Sequence, residues 1–156
     1  MSVKQPNSAQ CFVCGLQNPV GLRLAFYETG PDEVTATFTP PDHYQGFPGV
    51  LHGGIVAAAL DEAGGRAAMV GDHSRFRMTA KMEVRYRRPT PVGQPLAVVA
   101  RLLRDRGRLA VAHAEIRLPD GEVSAEADLT LADLPESYRM NGDLAALDWR
   151  VYPDPS

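Results

Sequence analysis

Asp61 stands nine positions after His52 in the run Leu51-His52-Gly53-Gly54-Ile55-Val56-Ala57-Ala58-Ala59-Leu60-Asp61-Glu62. The two glycines fall at what reads as the start of a helix. There the first amides have no intrahelical acceptor and sit at the positive end of the dipole. Glycine lets a ligand oxygen come close to those amides. The Gly53 amide, helped by Gly54, is therefore the candidate oxyanion donor, and Asp61 the candidate general base or nucleophile. The chemistry this pairing suits is acyl transfer to water.

Spacing separates the two roles. Eight residues of helix at 1.5 Å each place Gly53 and Asp61 about 12 Å apart. One thioester carbonyl cannot touch both at the roughly 3 Å that such contacts require. If both act on one substrate, they come from different subunits, and a two-fold dimer with two composite sites satisfies this.

Asp61 is preferred over Glu62 because its helical neighbours at 57, 58, 64 and 65 are alanine, alanine, glycine and glycine. They leave a concave, poorly hydrated space for an acyl carbonyl. Glu62 has Arg66 one turn later, in the favourable order for an ordinary helix ion pair. His52 is either catalytic or, as suits a helix entrance, a residue that orients the turn through its ring nitrogens. His43, His73 and His113 share no ligand spacing with it.

These residues need a scaffold, and the chain supplies an α+β pattern. Strand-like runs fall at 22–27 and 34–38, joined by the turn Gly30-Pro31-Asp32. A loop rich in glycine and proline runs from Pro40 to Val50. One helix is expected from His52 to Val70, then strands at about 77–88, 95–104, 108–118 and 122–132. Pro119-Asp120-Gly121 marks the hairpin between the last two. Residues 1–20 read as an N-terminal arm, 21–133 as the domain, and 134–156 as a C-terminal extension with a short helix near 143–147. The long helix carries few large side chains, and Gly64 and Gly65 each cost it about 1 kcal/mol relative to alanine. Such a helix suits close approach by a sheet wrapped around it.

Composition bounds the class. With 156 residues and 44% apolar content the chain builds one core. A net charge of −3 lacks the basic footprint of a nucleic-acid binder. No apolar run approaches the roughly 20 residues that span a bilayer, and the first residues lack a signal-peptide segment. A cytoplasmic protein without membrane or nucleic-acid partners is expected. Its two cysteines, Cys11 and Cys14, stand in a C-x-x-C-Gly arrangement. Zinc needs further ligands that the spacing does not supply, and no thioredoxin-like pattern surrounds the pair. Reduced cysteines in a tight turn, with no metal and no cofactor, are the expectation.

The constellation resembles hotdog-fold thioesterases of the phenylacetate-pathway type. The matching pieces are Cys11-x-x-Cys14-Gly15 with Asn18-Pro19-Val20-Gly21-Leu22, Pro48-Gly49-Val50-Leu51-His52-Gly53-Gly54, Asp61, and Thr79-Ala80 leading to Tyr86-Arg87-Arg88-Pro89. The resemblance implies an antiparallel sheet wrapped around a central helix, pairing of subunits through their sheets into a homodimer or dimer of dimers, and acyl-CoA thioesters as substrates. It implies a water-orienting role for Thr79. Thr79 has the opposite strand parity to Met82, Val84 and Tyr86, so it looks across a dimer or a bulge intervenes. Gln45 stands near where relatives carry an amide side chain before the glycine turn, and is a candidate second oxyanion donor. Phe47 packs on the acyl chain or fixes the loop. Arg87 and Arg88, among arginines at the sheet edge, suit coenzyme A phosphates, although charged strand ends are ordinarily solvated surface. The expected activity is acyl-CoA hydrolysis. A hotdog module that binds acyl-CoA or an aromatic ligand without turnover is the alternative. A hydratase or dehydratase would need a histidine paired with an acid, and none is apparent beside Asp61.

Overall fold

Alternation of small apolar and polar residues builds the sheet. In the computed structural model, which describes residues 2–138 and 142–156, Ala110, Ala112, Ala114 and Ile116 of one strand are buried. So are Ala125, Ala127, Leu129 and Leu131 of the next. Met1 and residues 139–141 of the C-terminal extension lie outside the described residues. The strands are β1 (Val3–Lys4), β2 (Tyr27–Gly30), β3 (Glu33–Phe38), β4 (Arg77–Tyr86), β5 (Leu96–Asp105), β6 (Leu109–Arg117) and β7 (Val123–Asp133), and one helix, α1 (Gly53–Ala67), lies between β3 and β4. They form a single sheet in the order β1-β2-β3-β5-β6-β7-β4, with every pairing antiparallel. The strand after the helix thus crosses to the far edge, and β5 returns beside β3.

The helix lies in the curve of this sheet. Its buried face, Val56, Ala59, Leu60, Ala63, Gly64 and Ala67, follows the 3.6-residue period of a helix that buries one stripe. Alanines on both sides bring the helix and the strands close together. The tightest approach is at Gly64, where a Cβ would stand 2.7 Å from a methyl of buried Leu129. At Gly65 a Cβ would meet nothing within 4 Å. The neighbouring glycines therefore differ in purpose: one admits the sheet, and the other leaves space beside Asp61. Gly65→Ala is expected to raise stability by up to about 1 kcal/mol through helix propensity. Gly64→Ala is expected to lower it, because overpacking typically costs about 1–3 kcal/mol and outweighs the same gain. Thermal melts of the two variants check this, and equal shifts would contradict it.

Three boundaries differ from expectation. The strand expected at 22–27 forms instead at Tyr27–Gly30, as β2. Arg23 takes a left-handed φ of 56°, and the Leu22 and Leu24 amides donate to the Phe12 and Val13 carbonyls instead of to a ladder. The helix ends at Ala67 rather than Val70, followed by turns that reach Gly71 with φ 82°. The expected C-terminal helix is a single 3₁₀ turn, Ala145–Leu147. The Gly30-Pro31-Asp32 and Pro119-Asp120-Gly121 turns join the strands they were expected to join. Residues 2–20 pack onto the domain: β1 pairs with β2, and Val13 and Cys14 are buried. Among the described residues no helix is long and apolar enough to cross a membrane.

Candidate active site

Asp61 lies halfway along α1, half-buried, on the side facing the start of β4. The pairing of β4 with β7 shifts between Thr79 and Lys81, so Ala80 is an extra residue. A bulge of this kind reverses the alternation on one side of it. It resolves the parity of Thr79, which now faces the helix with Met82 and Val84. The Thr79 hydroxyl donates to Asp61 Oδ1 at 2.5 Å. That bond holds the carboxylate in one orientation. Asp61 and Thr79 line a cavity of about 360 Å³, bounded also by Gly65, Met69, Phe76 and Trp149.

The other end of the helix is organised around His52. Its exposed ring accepts from the Gly54 amide through Nδ1 at 2.9 Å. The main-chain carbonyl of His52 accepts from Ile55 and Val56. A Cβ on Gly54 would stand 3.1 Å from His52 Nδ1, so glycine leaves room for the ring to cap the helix. With the Gly54 amide so engaged, the Gly53 amide is the one that donates to nothing among the described residues. Tyr86 fixes this turn by donating its phenol to the Gly53 carbonyl at 2.7 Å. A second cavity of about 730 Å³ opens here, lined by His52, Gly53, Phe47, Tyr86, Arg87 and Arg88 among others. Phe47 is 81% exposed over it. Gln45 instead closes its own loop, accepting from the Gly49 amide through Oε1 at 2.9 Å. Arg87 pairs with Glu126 at 2.8 Å and Arg88 with Asp120 at 3.5 Å.

Within one chain these cavities share no lining residue. The carboxylate and the free amide therefore serve separate spaces. Strand β4 connects them: Thr79 near its start borders one, and Tyr86 at its end borders the other. Seven residues of strand span about 23 Å.

The arm and the C-terminal extension contribute residues that the sequence does not mark for this site. Cys11, Cys14 and Trp149 border the Asp61 cavity, and Glu62 brings a third side-chain group within 4.8 Å of both sulfurs. The helix supplies that group: Glu62 is carried under the arm's turn, which lies far from it in sequence. The expected Glu62–Arg66 ion pair forms at 3.0 Å, but Arg66 is only 2% exposed rather than solvated. Its guanidinium donates to the Pro6 carbonyl and lies over the Phe26 and Trp149 rings. A side-chain hydrogen bond with Cys14 lowers the Cys11 thiol to about 6, while the same bond, with burial, pushes Cys14 up.

A single helix held by an antiparallel sheet, with a glycine pair at its N-terminus, is a hotdog fold. The thioesterase superfamily pattern matches residues 48–125, and the chain belongs to that superfamily. The acyl-coenzyme A thioesterase THEM4 of Rattus norvegicus is 29% identical over 118 residues, covering 75% of this chain and 50% of the rat protein. The chain thus spans about half the length of that curated relative. A crystallised thioesterase-superfamily protein superposes with a TM-score of 0.73 at 31% identity, covering 80% of this chain and 60% of its own. The smu.793 protein of Streptococcus mutans, solved with acetyl-CoA bound, gives a TM-score of 0.65 at 17% identity, over 71% of this chain and 88% of that one.

Proposed function

We propose that the chain hydrolyses acyl-CoA thioesters to free acid and coenzyme A, in composite sites built by two copies. The observation that carries this reading is the Asp61 carboxylate, held by Thr79 inside a cavity, on a helix whose first free amide is about 12 Å away. Strand β4 lies at the edge of the sheet. Two such edges pairing antiparallel about a two-fold axis would set the Thr79 end of one copy against the Tyr86 end of the other. Asp61 of one copy would then face Gly53 of its partner across one thioester.

In that arrangement Asp61 acts as base or nucleophile. As a base it takes the proton of the attacking water through the carboxylate oxygen that Thr79 leaves free. The Gly53 amide stabilises the charge that develops on the carbonyl oxygen, and the thiolate of coenzyme A leaves. Arg87 and Arg88 stand beside the Gly53 cavity, where they suit the phosphates of the carrier. The name of the rat relative and the acetyl-CoA in the Streptococcus protein support the substrate class.

Thiol release from short, long and aromatic acyl-CoAs, with an acyl-carrier-protein thioester beside them, tests the proposal. Turnover of at least one acyl-CoA is expected. Saturable binding of acyl-CoA with no thiol released would make the chain a binding module instead. Thr79→Val should lower turnover by about 10- to 100-fold, because a carboxylate free to rotate is misplaced for attack. Unchanged kcat in that variant would show that the Asp61 bond does not position the chemistry.

A further inference from the structure

The C-x-x-C turn borders the Asp61 cavity, and no step proposed above uses it. The Gly15 amide donates to the Cys11 carbonyl at 2.8 Å. A Cβ on Gly15 would stand 2.3 Å from that carbonyl oxygen, so the turn excludes every side chain there. Closing this way puts both sulfurs on one side, and the Cys14 amide points at Cys11 Sγ from 3.4 Å. A sulfur facing a backbone amide is an environment suited to a thiolate. Glu62 meets the pair from the helix, and one ligand atom from each of the three residues lies within 4.8 Å of the others.

From this geometry we propose that Cys11, Cys14 and Glu62 bind one zinc ion, with the remaining coordination position open to the Asp61 cavity. Bonds of about 2.0–2.3 Å in a tetrahedron put ligand atoms roughly 3.5 Å apart. The three groups therefore need to draw in by only about an ångström. The Glu62 oxygens are already divided between two partners: Oε1 holds Arg66 at 3.0 Å, and Oε2 faces Cys11 Sγ at 3.9 Å. Arg66 is pinned by Pro6, Phe26 and Trp149, so it cannot swing across to neutralise the sulfurs. Two thiolates, the carboxylate, the guanidinium and a divalent ion together carry no net charge. Sulfur ligands select zinc over magnesium or calcium, which prefer oxygen. On binding, the two thiol protons pass to the solvent. The ion would tie the arm to α1 one residue beyond Asp61 and so fix a wall of the cavity.

The test uses the full chain, reduced and stripped with a chelator, titrated with zinc alone and separately with cobalt. One equivalent of zinc per chain and a thiolate-to-cobalt charge-transfer band are expected. Cys11→Ser with Cys14→Ser should abolish both. Glu62→Gln, which keeps an acceptor for Arg66, should weaken zinc binding by at least about tenfold. No uptake of zinc by the reduced parent, cobalt bound without the band, or undiminished binding in the double variant would each overturn the site. Should the double variant fail to fold, the parent's cobalt spectrum decides alone, the band supporting the site and its absence refuting it. None of these readouts depends on thioester turnover.

Discussion

Asp61→Asn is expected to fold as the parent does and to lose thioesterase turnover by about 10²–10⁴-fold, the usual cost of removing a general base. The two side chains are isosteric, and the Asn oxygen still accepts from the Thr79 hydroxyl that now reaches Asp61 at 2.5 Å. The half-buried position thus keeps its hydrogen bond and its packing. What disappears is the capacity to take a proton from water or to attack the carbonyl. Because acyl-CoA binding does not need that capacity, affinity for a non-hydrolysable thioester analogue should change little. Thiol-release rates, melting temperature and analogue binding on the same preparation separate these effects. A well-folded Asp61→Asn protein turning over within tenfold of the parent would remove Asp61 from the chemistry.

The parts of this architecture that are legible in the sequence are those set by local chemistry. Gly53 and Gly54 mark the helix start: at Gly54 a Cβ would crowd the His52 ring that caps the helix, and at Gly53 it would meet the Tyr86 ring. Period-two burial along Ala110 to Ile116 and along Ala125 to Leu131 marks two strands. Pro119-Asp120-Gly121 marks the turn between them, where Gly121 takes a φ of 87°. What escapes local reading is set by distant contacts. Leu22 to Phe26 have strand-like composition, but the Leu22 and Leu24 amides are taken by the cysteine loop. The parity of Thr79 depends on a bulge that only the pairing of β4 with β7 reveals. Glu62 and Arg66 follow the spacing of a surface ion pair. They are drawn inward because the arm and Trp149 fold over them, and nothing within the helix foretells that. The approach of Glu62 to Cys11 escapes local reading for the same reason: the two lie 51 positions apart.

The second large effect follows from the separation of Gly53 and Asp61. Gly53→Val puts a branched side chain against Tyr86, whose ring a Cβ at this position would already meet at 3.5 Å. It crowds the one free amide of the helix start, so a site that depends on that amide should lose most of its turnover; removing one oxyanion donor alone costs about 10²–10³-fold. Asp61→Asn damages the other half of the site. If each site takes its amide from one copy and its carboxylate from the other, a mixed dimer of the two variants holds one site with both lesions and one site with neither. The measurement is thiol release after subunit exchange between the two inactive variants, with heterodimer formation verified by mass spectrometry. Recovery toward half the parental activity per heterodimer is the predicted result. Verified heterodimers that stay as inactive as the separate variants would contradict the composite site.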